Sequence, residues 1–112
     1  MFTFLLLACS NDNTISSFQG QWNGTFKGDD MGTWNAQIMS QGVVTGTATS
    51  DVFNNPDEIS GSVDGDGQFS ATVGSTISGT IFTGQFSGDR VSGSWVNQGN
   101  NLEGSWEGER VD

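Results

Sequence analysis

From Phe18 onward, apolar and polar residues alternate, and a five-residue unit carries the alternation. The unit is a large apolar residue, a polar one, Gly, Ser or Thr, and a second apolar residue. Trp22-Asn23-Gly24-Thr25-Phe26 is one copy. Others run from Val44 to Ala48, Ile59 to Val63, Ile77 to Ile81, Val91 to Trp95 and Leu102 to Trp106. Variants from Trp34 to Ile38 and Phe69 to Val73 put Ala at the centre, and Phe82 to Phe86 has Gln after its Gly. Successive side chains of a strand point to opposite faces, so the apolar pair and the central Gly share one face. Ser, Thr, Asn and Gln take the other. Period-two patterning of this kind is that of half-buried strands. The helical period is absent, and no helix is predicted in this part of the chain.

Turn residues divide the pattern into strands over about Gln19–Lys27, Thr33–Ser40, Val43–Ser50, Glu58–Val63, Gln68–Val73, Ile77–Phe86, Arg90–Asn97 and Asn101–Arg110. Gln41-Gly42, Asp64-Gly65-Asp66-Gly67, Gly74-Ser75 and Gly88-Asp89 read as tight connections. Asn54-Asn55-Pro56-Asp57 lies in a longer loop. The sixth strand changes phase: Ile77, Gly79 and Ile81 share one parity, and Phe82, Gly84 and Phe86 the other. One strand with a β-bulge at Ile81-Phe82 explains the flip better than a turn there, because an extra residue reverses the facing. Short links between neighbours predict an all-β, eight-stranded antiparallel up-and-down meander. Closure into a small barrel removes the exposed edges. A two-sheet β-roll or sandwich is the alternative. In a narrow barrel the central Gly lets a Trp lie over it from a facing strand.

Composition fits a small packed domain. The chain has 112 residues, of which 17 are Gly and 33% are hydrophobic, and its four Trp and several of its eight Phe fall on periodic positions. Aromatic residues bury large areas each, so a few sustain a modest core. Two large residues per strand fill most of an eight-stranded interior, which predicts a packed core over a ligand pocket.

The chain opens with an apolar run from Phe2 to Ala8, and Leu6-Leu7-Ala8-Cys9 resembles a bacterial lipobox. That resemblance implies a signal peptide over 1–8, cleavage before Cys9 and a diacylglycerol on its sulfur. No Lys or Arg precedes the run, which is shorter than the usual ~7–15 residues, so the expected start lies upstream. Residues 9–17 then read as the lipidated Cys and a polar tether, and 18–112 as the barrel domain. Ser10 after Cys9 resembles the outer-membrane sorting class. The implied location is the bacterial cell envelope, on an outer membrane, facing the periplasm or the cell surface.

Gly20-Gln21-Trp22 on the first strand, followed by an eight-stranded meander, resembles the calycin superfamily of lipocalins, fatty-acid-binding proteins and avidins. In lipocalins the Trp of Gly-x-Trp packs against an Arg of the last strand. The resemblance therefore implies a pair between Trp22 and Arg110, and it keeps open a small apolar ligand. With no Tyr in the chain, biotin is a poor fit. The Gly-Ser-Thr-Trp units are also similar to those of small bacterial lipoproteins.

Charge and side-chain chemistry narrow the functions. Thirteen acidic residues face three basic ones, for a net charge of −10, which disfavours nucleic acid and anionic lipid as direct partners. The absence of His and Tyr, with Cys9 committed to lipid, removes His-assisted nucleophiles and most zinc sites. No enzyme and no cofactor are expected. Asp64 and Asp66 resemble the opening of a calcium loop, but the pattern lacks the distal Glu and reads as a hairpin turn. Asp29-Asp30 and Asp57-Glu58 read as solvated turn acids. Three functions stay open: a lipid-anchored binding or structural module, a carrier of an apolar ligand, and an inhibitor or adhesin. The last would bind an envelope protein or glycan through loop 51–57, with Val52, Phe53, Asn54 and Asn55 as the contact.

Overall fold

The computed structural model describes residues 18–52, 56–74 and 79–111, and all of its regular structure is strand. The strands are β1 (Gly20–Gly28), β2 (Gly32–Ile38), β3 (Val43–Ser50), β4 (Pro56–Val63), β5 (Gln68–Val73), β6 (Thr80–Ser87), β7 (Arg90–Asn97) and β8 (Leu102–Val111). Each pairs antiparallel with the next, and β8 returns to β1, so the sheet is a closed barrel. The alternative of two separate sheets is thereby set aside. An eight-stranded up-and-down barrel of this order is compatible with a calycin-like fold.

Two boundaries moved for identifiable reasons. β2 stops at Ile38 because Met39 to Gly42 form a turn. Met39 N–H donates to Val43, Gly42 N–H donates to Met39, and Gly42 takes a left-handed φ of 87°. Asp64 to Gly67 repeats this turn, with Gly67 at φ 85°. β4 starts at Pro56, the first position of a strand, where a missing N–H is tolerated.

The bulge expected at Ile81-Phe82 is not there. β6 pairs in unbroken register with both β5 and β7, from Val73↔Thr80 and Ile81↔Val96 onward. Ile81 simply points outward and is 43% exposed, beside Val96 on the same face. Ile77 lies outside the described residues, as does Ser75 of the expected Gly74-Ser75 turn.

Apolar residues of the repeated unit form one aromatic-rich core. Trp22, Ile38 and Val44 are the most deeply buried large side chains. Burying each large apolar side chain contributes about 1.5–3 kcal/mol. The central glycines accommodate Trp rings, but from neighbouring strands of the same wall and not from facing ones. Trp34 is in register with Gly24, which is in register with Gly108. Trp106 is followed by Gly93 and Gly84, and Trp95 by Gly104 and Gly28. In each row the ring lies along the wall and its indole N–H reaches the carbonyl just before the second Gly. Trp34 donates to Glu107 at 3.2 Å, Trp95 to Lys27 at 3.1 Å and Trp106 to Thr83 at 3.0 Å. A Cβ at Gly84 would stand 2.6 Å from Trp106 Cζ2, so only Gly fits.

Candidate functional site

The two ends of the barrel differ. At one end the chain arrives at Phe18, and the turns at 39–42, 64–67 and 88–89 are tight. Here Trp22 and Arg110 meet, with the guanidinium carbon 4.8 Å from the indole centroid. Trp22 donates its indole N–H to the Phe18 carbonyl at 2.8 Å. Arg110 Nη1 donates to the Gln19 carbonyl at 2.7 Å, and its Nε pairs with Asp89 at 2.9 Å. The arrangement locks the arriving chain, the β6–β7 turn and the last strand together. Its bonds go to backbone and to a neighbouring turn, so it is a structural clamp.

The opposite end carries the connections β1–β2, β3–β4, β5–β6 and β7–β8. Local hydrogen bonds shape it. Asp30 Oδ1 accepts from Met31 N–H at 2.7 Å and from Ser50 Oγ at 2.9 Å. Asp29 and Glu103 are joined through backbone and carboxylate, with Glu103 N–H donating to Asp29 at 2.9 Å. Buried Asn97 donates to Thr80 Oγ1 and accepts from Asn100 N–H, which ties β6 to the β7–β8 turn. Asp29, Asp30, Asp51, Asp57, Glu58 and Glu103 all belong to this half, with Lys27 as its basic residue. Six carboxylates against one ammonium make this half acidic. Met31 and Val52 stand out from the rim, 50% and 62% exposed. A cavity of about 50 Å³ at this end has Phe26, Phe82 and Trp95 together with Asp30, Ser50 and Asp57 among its lining residues.

The remaining spaces are an interior void and outer saddles. The void holds about 20 Å³, bounded only by apolar side chains such as Trp22, Trp34, Phe69 and Trp106. A space that small and apolar stays dry. Two shallow saddles of about 500 and 520 Å³ lie on the outer wall, lined by polar residues that include Thr25, Glu107, Ser70 and Thr83.

Among the other residues singled out by sequence, Asp64 is spent on its own turn. Its Oδ1 accepts from Asp66 and Gln68 N–H at 2.9 and 3.0 Å. Among the described residues no three metal-binding side chains come together. Val52 is exposed on the loop rim, whereas Cys9, Phe53, Asn54 and Asn55 lie outside the described residues. That Phe26, Phe82 and Trp95 line one cavity with Asp30 and Asp57 was not legible from the chain. Those residues read individually as core and turn, and only barrel closure gathers them. No protein-family model matches the sequence, and no curated protein is similar to it.

Proposed function

We propose that this chain is a lipid-anchored, non-enzymatic binding module of the bacterial cell envelope, held at Cys9 and docking a protein or glycan through its loop end. The observation that carries the reading is the opposition of the two ends. Phe18, where an N-terminal tether would join, sits at the clamped end. The acidic rim with exposed Met31 and Val52 sits at the other. An anchored barrel would then hold its rim away from an anionic bilayer, which also repels it. The filled interior supports a surface role: ligand pockets run to about 300–1,000 Å³, against 20 Å³ here. The carrier reading draws no support from that void. The lipobox and Ser10 make an outer membrane the proposed location.

Two measurements test this. Mass spectrometry of the mature protein should find an acylated N-terminus at Cys9, and an unmodified thiol there would remove the anchor. A photo-crosslinking residue at Val52 should capture a specific neighbour in intact cells, while one at Met39, at the opposite end, should not. Equal capture from both positions would count against a docking end.

A further inference from the structure

The β2–β3 turn has a twin. Met39 N–H donates to the Val43 carbonyl at 2.9 Å, and Gly42 N–H to the Met39 carbonyl at 2.9 Å. In the β4–β5 turn Asp64 N–H donates to the Gln68 carbonyl at 3.1 Å, and Gly67 N–H to the Asp64 carbonyl at 3.0 Å. The two turns share one backbone pattern, and Met39 and Val43 take the places of Asp64 and Gln68. Asp64 caps its turn, with Oδ1 accepting from the N–H groups of Asp66 and Gln68. A Met side chain offers no such bond, so the β2–β3 turn forms without one. Met39 and Val43 stand opposite each other at the base of the turn, 44% and 45% exposed. Folding supplies no reason for an exposed apolar pair where the twin carries polar side chains.

The position and charge of the hairpin point to what covers the pair. Ile38 is in register with Gly20, so Met39 lies at the end where the chain arrives. From Cys9 to Phe18 the chain is nine residues long and spans at most about 30 Å, which keeps this end close to anything that holds Cys9. No charged residue occurs from Met31 to Ser50, whereas the other tight turns of this end carry Asp64, Asp66 and Asp89. An anionic bilayer repels those turns and leaves the β2–β3 hairpin as the part that approaches it. Two side chains fall far short of the roughly 1,200–2,000 Å² that a stable protein interface buries. They suffice where an anchor already holds a surface nearby, because interfacial binding scales with the apolar area buried. Exposed Ser40 and Gln41 at the tip keep their hydration among lipid headgroups. We propose that the β2–β3 hairpin rests in the headgroup region of the bilayer that carries the anchor, and so orients the barrel with its loop end outward. The proposal rests on acylation at Cys9: the acyl chains hold the protein and the hairpin sets its orientation.

Cleavage before Cys9 leaves Met31 and Met39 as the methionines of the chain, one at each end of the barrel. The test uses the acylated protein with ¹³C-labelled methionine methyls, one chain per nanodisc, which excludes contact with a second copy. The discs are phosphatidylcholine with a trace of nitroxide-headgroup lipid; this lipid is neutral, so repulsion of the acidic loop end plays no part. The Met39 methyl signal is expected to broaden and the Met31 signal to stay sharp. Met39→Asp combined with Val43→Gln copies the twin turn. In that variant the Met31 signal is expected to broaden, because the loop end is no longer kept away from lipid. Two sharp signals in the wild type, equal broadening of both, or an unchanged Met31 signal in the double variant would overturn the proposal. Mass spectrometry separates the two readings. An unmodified Cys9 removes anchor and orientation together, whereas an acylated Cys9 with a sharp Met39 signal removes the orientation alone.

Discussion

The indole N–H of Trp106 on β8 reaches the carbonyl of Thr83 on β6, across the whole width of β7. It also donates to Ser94 of the strand between, at 3.1 Å. The ring can lie this flat only because Gly93 and Gly84 present no side chain beneath it. Trp34 and Trp95 repeat the relationship over their own pairs of glycines. The glycine content is thus a packing requirement, and it offsets the entropic penalty that strand glycines incur.

Substitution at the second glycine of such a row is therefore expected to be costly. In Gly84→Ala the new methyl meets the Ser92 carbonyl and the Trp106 ring, both within contact distance. Overpacking of this kind destabilises by about 1–3 kcal/mol. Urea unfolding followed by Trp fluorescence should show the lower midpoint. A midpoint equal to wild type would mean that the wall yields more easily than the packing implies.

The ring and the glycine should also be coupled. Trp106→Phe removes the benzo edge that Gly84 accommodates, together with two hydrogen bonds. Combining it with Gly84→Ala is expected to be less harmful than the sum of the single changes. A double-mutant cycle should give an interaction of about 0.5–2 kcal/mol. Strict additivity would contradict direct packing of the two residues.

At the clamped end, Arg110→Met should destabilise by about 1–3 kcal/mol, through loss of the bond to Gln19 and of the attraction to the Trp22 ring. Arg110→Lys should rescue little, since an ammonium cannot serve both partners in one plane. Asp89→Asn should change stability by less than about 0.5 kcal/mol, because Asp89 is 80% exposed. Faster exchange of the Trp22 indole hydrogen in Arg110→Met would locate the effect.

The Asp64 turn gives a prediction about metal. Its carboxylate is occupied by two backbone N–H groups. Asp64→Ala is expected to lower stability by about 0.5–1.5 kcal/mol. Millimolar calcium should leave the melting temperature of the wild type unchanged, and a rise in melting temperature would reopen the cation reading.

The reach of the sequence can be judged residue by residue. Parity placed Trp22, Phe26, Val91 and Trp95 on the inner face, and turn residues separated the strands, because both signals are local. The facing of Ile81 misled, since its apolar character suggested burial, yet its position beside Val96 leaves it on the outer wall. The partner of each glycine was also hidden. Parity gives a face, but register decides which neighbour lies there. The contact of Phe26 with Phe82 and Trp95 depends on bringing β1, β6 and β7 together across the core. That juxtaposition follows from closure, and nothing in the alternation specifies it.

Closure has one more consequence. Because Gln21 is in register with Val111, the two limits of the described barrel stand side by side at the clamped end. A ring of hairpins has no intrinsic first strand. The order in which the strands are translated is then separable from the order in which they pair. A circular permutant that bridges these limits and opens the chain between Gly88 and Asp89 would turn the β8–β1 seam into a covalent hairpin and move the break to β6–β7. The loop end and the three Trp rows would keep their geometry.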